Sequence, residues 1–459
     1  MKQISKSFDY IVIGAGSGGL LVTAGLLRLG KDVAVVSENI GGDCTHYGCV
    51  PSKTLLHLAK NYISENNSKV KSALKQDALK KVREVVSSFV DEENEIIPKD
   101  RYFKGIATFI SKDSVSIKTD TGEQELKCKK KCIVATGSSP LRLSVPGIPP
   151  AKILSNEEIF YLETMPASIT IFGGGPIGAE MATAFASFGV TTYLLSRTYL
   201  PNEPKTIAKK SLEQLQSLGV RYIPARPVKL ENNTLYVDEG EPIPETDVYL
   251  SAVGRVPNTK LGLDHAEIIF DKAGIHVDAN LTTSNRNVFA IGDCTQNPQF
   301  THLAANHGKF VVKKIMVPFA KRKARALPRV TFTNPPIASV GSTDKSGGSQ
   351  QFELNFSQLD RARTNFESDS RGVVSVDTKT GYILGASLLG DFSEELINLF
   401  TLMMDERIPV LRMTDFITPY PTYGNIMHNL SRDYMTYLSK NWKQHPLGSM
   451  YQFFSYLFT

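Results

Sequence analysis

An apolar run near the N-terminus leads into closely spaced glycines and then into a segment with helical periodicity. The run DYIVIGAG precedes GGLLVTAGLLRLG, and a second apolar run, DVAVVSE, ends at Ser37 and Glu38. Short apolar runs indicate buried parallel strands, and the intervening glycines indicate a tight turn into a helix. The segment is therefore predicted to fold as a strand-turn-helix-strand unit.

The same unit recurs in SITIFGGGPIGAEMATAFASFGVTTYLLSR. In such units the first glycine permits the turn, the second lets the backbone approach a pyrophosphate, and the third lets the helix pack on the strand. One copy is weak evidence, but two copies in full context predict two dinucleotide sites, or one site and a decayed duplicate. The glycines concerned are Gly14, Gly16 and Gly19 in the first copy and Gly173, Gly175 and Gly178 in the second.

Several further elements follow from the pattern. Residues 64–95 are charged with apolar positions at helical spacing, which indicates an amphipathic helix on the surface. Short strand-like runs, ATFIS and SVSIKT, precede the apolar run CIVATGSSP. A basic linker at 321–325 leads into PRVTFTNPP, which indicates the start of another domain, with the strands GVVSVD and ILGASLLG and the helix EELINLFTLMMDE beyond it.

Composition narrows the class of protein. The chain has 459 residues, 41% hydrophobic and 21% charged, which is typical of a soluble globular protein of about three domains. The net charge of +6 is spread along the chain, so a nucleic-acid partner is not expected. No apolar run reaches the ~18 residues of a membrane span, and a cytoplasmic location is predicted.

Two of the five cysteines, Cys44 and Cys49, lie five positions apart in GGDCTHYGCVPSK. In a reducing compartment such a pair indicates catalysis or metal binding rather than a structural disulfide. A zinc site usually needs four ligands. The other close pair, in CKKKC at 128–132, is predicted to lie in a surface turn that leads into a strand. His46 adds only one imidazole, so no metal site is predicted.

Six motifs occur in order along nearly the whole chain: GAGSGG, GGDCTHYGCVPSK, ATGSSP, GGGPIGAE, AVGRVPNT and IGDC. With them the chain resembles the FAD-dependent pyridine nucleotide-disulfide oxidoreductases, the family of mercuric reductase and lipoamide dehydrogenase. The resemblance implies an α/β fold with two Rossmann-like dinucleotide-binding domains, for FAD and NAD(P), plus a C-terminal α+β dimerisation domain, in a homodimer. The implied boundaries are 1–148 with 254–325 for FAD, 149–253 for NAD(P) and 326–459 for dimerisation.

The resemblance also implies roles for single residues. The first three glycines hold the FAD pyrophosphate, Asp293 holds the ribityl chain, and Lys53 with Glu180 forms an ion pair beside the reactive flavin nitrogen. The acid expected on the FAD ribose falls on Ser37 by counting from Gly14, so we assign that role to the next residue, Glu38. Further implied cofactor-binding positions are Gly42, Asp43, Ala107, Thr136, Gly137, Ala304, Gly173, Gly175, Gly178 and Gly254.

The second unit ends in LLSR. An NAD site favours a carboxylate at this strand end, whereas an NADP site needs a cation for the 2′-phosphate. Ser196 and Arg197 fit the second case. The sequence therefore predicts NADPH rather than NADH.

The resemblance implies that Cys44 and Cys49 form a disulfide that electrons reach from the flavin. Cys49 lies nearer the flavin, and Cys44 attacks the substrate. Disulfide-reducing relatives carry His-Pro-Thr-x-x-Glu near the C-terminus for proton transfer, but this chain has TPYPTYGN, with Tyr420 and Asn425 at those places. Tyrosine, with a pKa near 10, stays protonated at neutral pH and asparagine does not titrate. Turnover on disulfides should therefore be poor, and Tyr420 either contacts a ligand or only packs at an interface.

The acceptor stays open between a metal ion, a quinone, a polysulfide and a small oxidant. Mercuric reductase's C-terminal cysteine pair is absent, because no cysteine follows Cys294. Two alternatives are an NAD-dependent enzyme similar to lipoamide dehydrogenase and a slow FAD-binding redox sensor or interaction protein.

The chain ends in an aromatic tail from Tyr434 that contains Trp442 and a dense run at 451–458. The tail either packs on the dimer or makes a peripheral membrane contact.

Overall fold

The computed structural model describes residues 6–119, 122–344, 347–367 and 369–441. The strands are β1 Lys6–Gly16, β2 Val33–Gly41, β3 Tyr102–Lys104, β4 Ile106–Phe109, β5 Ser114–Thr119, β6 Gly122–Val134, β7 Ser138–Pro140, β8 Ile153–Leu154, β9 Ser168–Phe172, β10 Thr191–Leu195, β11 Arg221–Ile223, β12 Pro227–Glu231, β13 Thr234–Val237, β14 Ile243–Pro244, β15 Val248–Ser251, β16 Arg255–Pro257, β17 Phe270–Asp271, β18 Gly274–Ile275, β19 Val288–Ala290, β20 Arg329–Thr331, β21 Ile337–Gly341, β22 Ser349–Asn355, β23 Arg371–Asp377 and β24 Ile383–Leu389. The α-helices are α1 Ser17–Arg28, α2 Gly42–His46, α3 Cys49–Ser64, α4 Ser68–Asn94, α5 Asn156–Ile159, α6 Pro176–Ser187, α7 Lys205–Ser217, α8 Thr301–Met316, α9 Asp360–Thr364, α10 Ser393–Asp405 and α11 Ile426–Asn441.

The chain separates into two compact units. The first comprises Met1–Gly173 and Arg226–Lys323, and the second comprises Gly174–Ala225 and Ala324–Thr459. The division into three domains stays a prediction.

The first unit contains a sheet of order β3-β2-β1-β6-β5-β4, with β19 also paired to β6. The strands β1, β2, β3, β6 and β19 pair in parallel, whereas β4 and β5 join the other side as an antiparallel hairpin. Ile11, Val12 and Ile13 of β1 are all buried, because a central parallel strand is covered on both faces. The predicted strand-turn-helix-strand unit at 9–38 is therefore confirmed as β1, α1 and β2.

The second glycine copy also has its predicted elements, β9, α6 and β10. In the first unit β9 pairs in parallel with β15, which pairs in parallel with β8. In the second unit β10 pairs in parallel with β11. The two glycine motifs are thus each followed by a helix in an α/β arrangement, as the fold class predicted.

The second unit contains an antiparallel sheet of order β20-β21-β24-β23-β22. Helices α10 and α11 cover this sheet, with Phe400 and Tyr434 fully buried among the strand side chains. The predicted strands GVVSVD and ILGASLLG are β23 and β24, and the predicted apolar helix is α10. The new domain predicted near residue 328 begins with β20.

One local prediction was wrong. The CKKKC segment is part of β6 and not a surface turn, and both of its cysteines are buried. The sheet faces explain the difference, because Cys128 and Cys132 point into the core while Lys129 and Lys130 point to solvent. The two cysteines are four residues apart, so strand alternation places both on the buried face, and the register irregularity against β1 falls at the lysines between them.

The aromatic tail is described only at its start, where Tyr434 packs edge-on against Phe352 with ring centroids 5.8 Å apart. Trp442 and residues 451–458 lie outside the described residues, so the contact predicted for them stays a prediction. Across the described part of the chain, no helix combines the length and apolar character that a membrane crossing requires.

We expect Phe400→Ala to destabilise the second unit, because a fully buried phenylalanine replaced by alanine costs about 3–5 kcal/mol of unfolding free energy. The matched control is Leu402→Ala on the same helix, since Leu402 is 53% exposed and its loss should change stability by only about 0.5 kcal/mol. Guanidinium denaturation of the FAD-loaded protein gives both values. Equal losses for the two variants would contradict the packing of α10.

Candidate active site

The first glycine turn brings three backbone segments together. Gly14 has a φ of +104°, and a Cβ there would lie 2.2 Å from the carbonyl oxygen of Ala135. A Cβ on Gly19 would lie 1.9 Å from the carbonyl oxygen of Gly14. Helix α1 begins immediately after Gly16 without a side-chain cap, so its first amide groups can donate to a bound anion.

The dithiol segment meets this turn through a second glycine contact. Gly42 has a φ of +64°, and its Cβ would lie 2.7 Å from Cα of Gly16. Here β1 and β2 are in register, with Gly16 opposite Gly41, and α2 begins at Gly42. Thr45 on α2 donates a hydrogen bond of 2.9 Å to Glu93 on α4. Helix α2, which carries Cys44, is therefore held at both ends of its single turn.

Cys44 lies half-buried on α2, and Cys49 lies exposed at the start of α3. A hydrogen bond with Cys49 raises the pKa of the Cys44 thiol, and burial raises it further. The Thr301 hydroxyl lies 3.6 Å from Sγ of Cys49. A hydrogen bond between Thr301 and Cys44 lowers the pKa of the Cys44 thiol. Thr301 is the first residue of α8, where the helix dipole also favours a negative charge.

A network of polar side chains surrounds Asp43. Arg255, whose side chain is 13% exposed, lies 3.0 Å from the Asp43 carboxylate, and Asn156 donates to the same oxygen over 3.1 Å. Arg255 also donates to the Ser138 hydroxyl over 2.8 Å, and Ser138 donates to Asp293 over 3.1 Å. Burial raises the pKa of Asp293, while the bond from Ser138 opposes that rise. These contacts join four of the motifs in one site.

The loop after β6 is fixed by Asn258. Its amide donates to the Thr136 carbonyl over 2.9 Å, and the Thr136 hydroxyl donates to the Asn258 carbonyl over 2.8 Å. Asn258 also accepts from Ser139 over 2.8 Å. This loop, with Gly137 at a φ of +68°, forms one wall of the cleft.

These features border a cleft in the first unit with a cavity volume of about 280 Å³. The residues predicted for the FAD site that line it are Gly14, Gly16, Glu38, Gly42, Asp43, Thr136, Gly137, Asp293 and Ala304, and the predicted catalytic residue Cys44 lines it too. Two further predicted residues, Gly19 and Lys53, do not line the cleft. Gly19 packs against the Gly14 carbonyl behind the turn, and Lys53 on α3 donates to the Ser52 hydroxyl over 3.3 Å. Ala107 is 2% exposed in the core around β4 and does not line this cleft.

The positions predicted for the coenzyme are divided between the two units, with Gly173 and Gly254 in the first and Gly175, Gly178, Ser196 and Arg197 in the second. A Cβ on Gly173, which has a φ of +116°, would lie 2.3 Å from the Ala252 carbonyl oxygen. Gly175 is the N-cap of α6 and Gly178 is buried in that helix, while Gly254 has a φ of +127°. Ser196 and the exposed Arg197 follow β10. Glu180 on α6 is 5% exposed and accepts a hydrogen bond of 3.0 Å from the Phe332 amide.

The two residues at the place of the proton relay have other partners in the second unit. Tyr420 is 75% exposed and donates to Asp360 over 2.8 Å, which raises the pKa of the phenol. Asn425 accepts from the Thr422 amide over 3.0 Å and donates to Thr418 over 2.6 Å. Asn425 therefore caps a turn.

Residues of the site that were not predicted include Asn156, Arg255, Asn258 and Thr301. Arg255 and Asn258 lie within the motif AVGRVPNT, from which only Gly254 was assigned, so the arginine there was an available signal. Asn156 and Thr301 stand in segments without a motif. Their contribution depends on tertiary contacts that no local pattern indicates.

Comparison with known proteins agrees with this geometry. Residues 8–308 match the family model described as pyridine nucleotide-disulphide oxidoreductase, and residues 327–430 match the dimerisation domain of the same family. The chain belongs to the pyridine nucleotide-disulphide oxidoreductases. Members of this family are enzymes that use FAD and a pyridine nucleotide, and the dimerisation domain supports a homodimer.

Individual relatives cover most of this oxidoreductase. Mercuric reductase from Staphylococcus aureus is 30% identical over 456 residues, which is 92% of this chain and 81% of the relative. Dihydrolipoyl dehydrogenase from the same organism is 28% identical over 445 residues, 91% of this chain and 94% of the relative. A solved structure described as a Cu(II) complex of the HOCl-induced flavoprotein disulfide reductase RclA from Escherichia coli has a TM-score of 0.83 at 27% identity, covering 94% of this chain and 99% of that chain.

We expect Thr301→Val in the reduced oxidoreductase to raise the pH at which the dithiol ionises, because the variant loses a hydrogen bond that favours the thiolate. One such bond contributes about 0.5–1.5 kcal/mol, so the thiolate fraction at neutral pH should fall about two- to tenfold. The rate of iodoacetamide alkylation against pH measures this fraction. Thr54→Val is the control, since Thr54 bonds only its own helix at the Val50 carbonyl, over 2.8 Å. An unchanged profile in Thr301→Val would contradict the role of the hydroxyl.

Proposed function

We propose that the enzyme passes electrons from NADPH through FAD to Cys44 and Cys49 and then to a thiophilic metal ion. The observation that carries the choice of acceptor is the use of Tyr420 and Asn425 for hydrogen bonds within their own unit. Neither side chain can exchange a proton with a substrate near neutral pH.

The cleft of the first unit suits FAD on the chemistry of its residues. The uncapped start of α1 offers amide donors to the pyrophosphate, and a Cβ at Gly14 or Gly42 would collide with neighbouring backbone, so the turns that shape the cleft require glycine there. Glu38 would accept from the adenosine ribose, and Asp293 would accept from the ribityl chain. FAD, when bound, supplies the hydride chemistry that links the nicotinamide to the sulfurs.

Cys49 and Cys44 have different tasks in this scheme. Cys49 would receive the electrons first, and Cys44, whose thiol pKa is raised, would bind and release the acceptor. Thr301 favours the thiolate needed for either step. Lys53 and Glu180 are proposed to act as the ion pair beside the flavin.

The proton balance separates the acceptor classes. A disulfide acceptor leaves as two thiols, so each leaving thiolate needs a proton donor at the site. When the dithiol instead reduces a metal ion, two Cu(II) ions each take one electron, or one Hg(II) ion takes both. A bond then forms between Sγ of Cys44 and Sγ of Cys49, and two protons leave to solvent. Metal reduction therefore requires no acid from the protein.

Two of the compared proteins support a metal acceptor. Mercuric reductase is named for a metal substrate, and the RclA structure is described as a Cu(II) complex. Dihydrolipoyl dehydrogenase is the alternative among the relatives, and a quinone, a polysulfide or a small oxidant would also avoid the proton relay.

For the coenzyme, Ser196 and Arg197 at the end of β10 support NADPH. A serine adds no negative charge beside the 2′-phosphate, and the exposed guanidinium can pair with it.

We expect the wild-type enzyme to oxidise NADPH faster with Cu(II) or Hg(II) than with lipoamide or glutathione disulfide. The double variant Tyr420→His with Asn425→Glu restores two titratable groups, and general acid-base catalysis is typically worth about 10²–10⁴-fold. Its kcat/KM for lipoamide should therefore rise at least about tenfold, with the metal rate little changed.

Tyr420→Phe is the control for loss of the hydroxyl alone and should leave the lipoamide rate low. A wild-type enzyme that turns over lipoamide faster than any metal would contradict the proposed acceptor. No steady-state turnover with any acceptor would instead favour the redox sensor.

We expect Arg197→Ala to lower kcat/KM for NADPH about 10–100-fold, because a charge-assisted bond to the 2′-phosphate is worth about 1.5–3 kcal/mol. The value for NADH should change little. Lys209→Ala, at an exposed position of α7, serves as the control for loss of positive charge. Equal losses for NADPH and NADH in Arg197→Ala would contradict the NADPH assignment.

A further inference from the structure

The residues that follow β10 form a loop, 196–203, whose backbone is held at many points. The Ser196 amide donates to the Ile223 carbonyl over 3.1 Å, and the Tyr222 hydroxyl donates to the Ser196 carbonyl over 2.7 Å. The Ser196 hydroxyl donates to the Thr198 carbonyl over 2.8 Å. The start of the loop is therefore fixed where Ser196 and Arg197 would meet the coenzyme.

The middle of the loop packs against the second glycine motif. The Leu200 amide donates to the Gly174 carbonyl over 2.7 Å, and a Cβ on Gly174 would lie 2.2 Å from the Thr198 carbonyl oxygen. Leu200 has a φ of +42° and is 2% exposed. A non-glycine residue in this conformation costs about 1–3 kcal/mol and persists only where its surroundings determine it strongly.

The end of the loop is anchored by Glu203, whose side chain is only 8% exposed. Its two carboxylate oxygens accept from different strands of the C-terminal sheet, one from Ser339 of β21 over 2.8 Å and the other from Ser387 of β24 over 2.8 Å. These serines lie directly opposite each other in the β21–β24 register. Both serines are buried, so their two hydroxyls form a binding site for one carboxylate.

Arg329 completes this binding site for the Glu203 carboxylate. It lies opposite Ser339 in the β20–β21 register, 3.8 Å from the Glu203 carboxylate, and it donates to the Asn202 carbonyl over 3.3 Å. A buried carboxylate is costly unless it is paired and hydrogen-bonded. Here the pairing ties the loop to the dimerisation domain, and the Glu203 amide in turn donates to the Leu200 carbonyl over 3.0 Å.

We propose that Glu203 is a positioning residue for the nicotinamide coenzyme, which holds loop 196–203 on the C-terminal sheet so that Ser196 and Arg197 meet the adenosine ribose. The inference rests on the proposed coenzyme site at these two residues. Glu203 touches neither coenzyme nor flavin in this scheme and acts through the loop. Loss of its anchor should weaken coenzyme binding and leave the hydride step unaltered.

The test uses anaerobic bleaching of the flavin in the FAD-loaded enzyme, with NADPH or NADH as the varied reagent. In Glu203→Ala the apparent Kd for the preferred coenzyme should rise about tenfold, while the limiting rate changes less than about twofold. Ser387→Ala, which keeps the carboxylate but removes one donor, should raise that Kd by a smaller factor in the same direction. Ser375→Ala is the control, a buried serine of neighbouring β23 whose hydroxyl makes no hydrogen bond to Glu203.

A double-mutant cycle with Arg197→Ala separates this inference from the choice of coenzyme. If Glu203 acts through the loop, its effect on NADPH binding should largely vanish once Arg197 is absent. A wild-type preference for NADH would overturn the NADPH proposal alone, and the Glu203 effect is then measured on the Kd for NADH. If Ser387→Ala binds the preferred coenzyme as tightly as Ser375→Ala, the positioning role is overturned. This comparison decides the matter even if Glu203→Ala fails to fold.

Discussion

Two glycines, Gly16 and Gly42, allow two backbone segments to approach so closely that a Cβ on Gly42 would lie 2.7 Å from Cα of Gly16. This contact places the turn before α1 beside the helix that carries Cys44. An anion held by the amides of α1 and a thiol on α2 therefore share one cleft. Without that approach, the cofactor turn and the dithiol would be separate features of the chain.

Charge in the cleft is balanced by residues from distant parts of the sequence. Asp43 and Asp293 both lie there, and Arg255 bonds one of them directly and reaches the other through Ser138. Thr301, at the start of α8, acts on the sulfurs. The cleft thus favours an anion at the start of α1 and a thiolate beside Thr301.

The sequence predicts those parts of the molecule whose physics is local. Each glycine motif is a strand, a turn and a helix in one continuous segment, so their elements and the glycine roles follow from spacing and sterics. The error at Cys128 and Cys132 has a different cause, because the three lysines between them suggest solvent, whereas the side chains of β6 alternate and both cysteines, four residues apart, point into the core. The anchoring of Glu203 by Ser339 and Ser387 also escapes the sequence, since it depends on which strands of a sheet lie side by side.

Electrons are proposed to leave the dithiol without a proton relay, and the reoxidation of the reduced enzyme is the most direct test of this proposal. The FAD-loaded enzyme, reduced anaerobically with one equivalent of NADPH, is mixed with Hg(II) or with lipoamide in a stopped-flow instrument containing a pH indicator dye. We expect fast reoxidation by the metal with release of two protons, and slow reoxidation by lipoamide. Faster reoxidation by lipoamide than by the metal would contradict it.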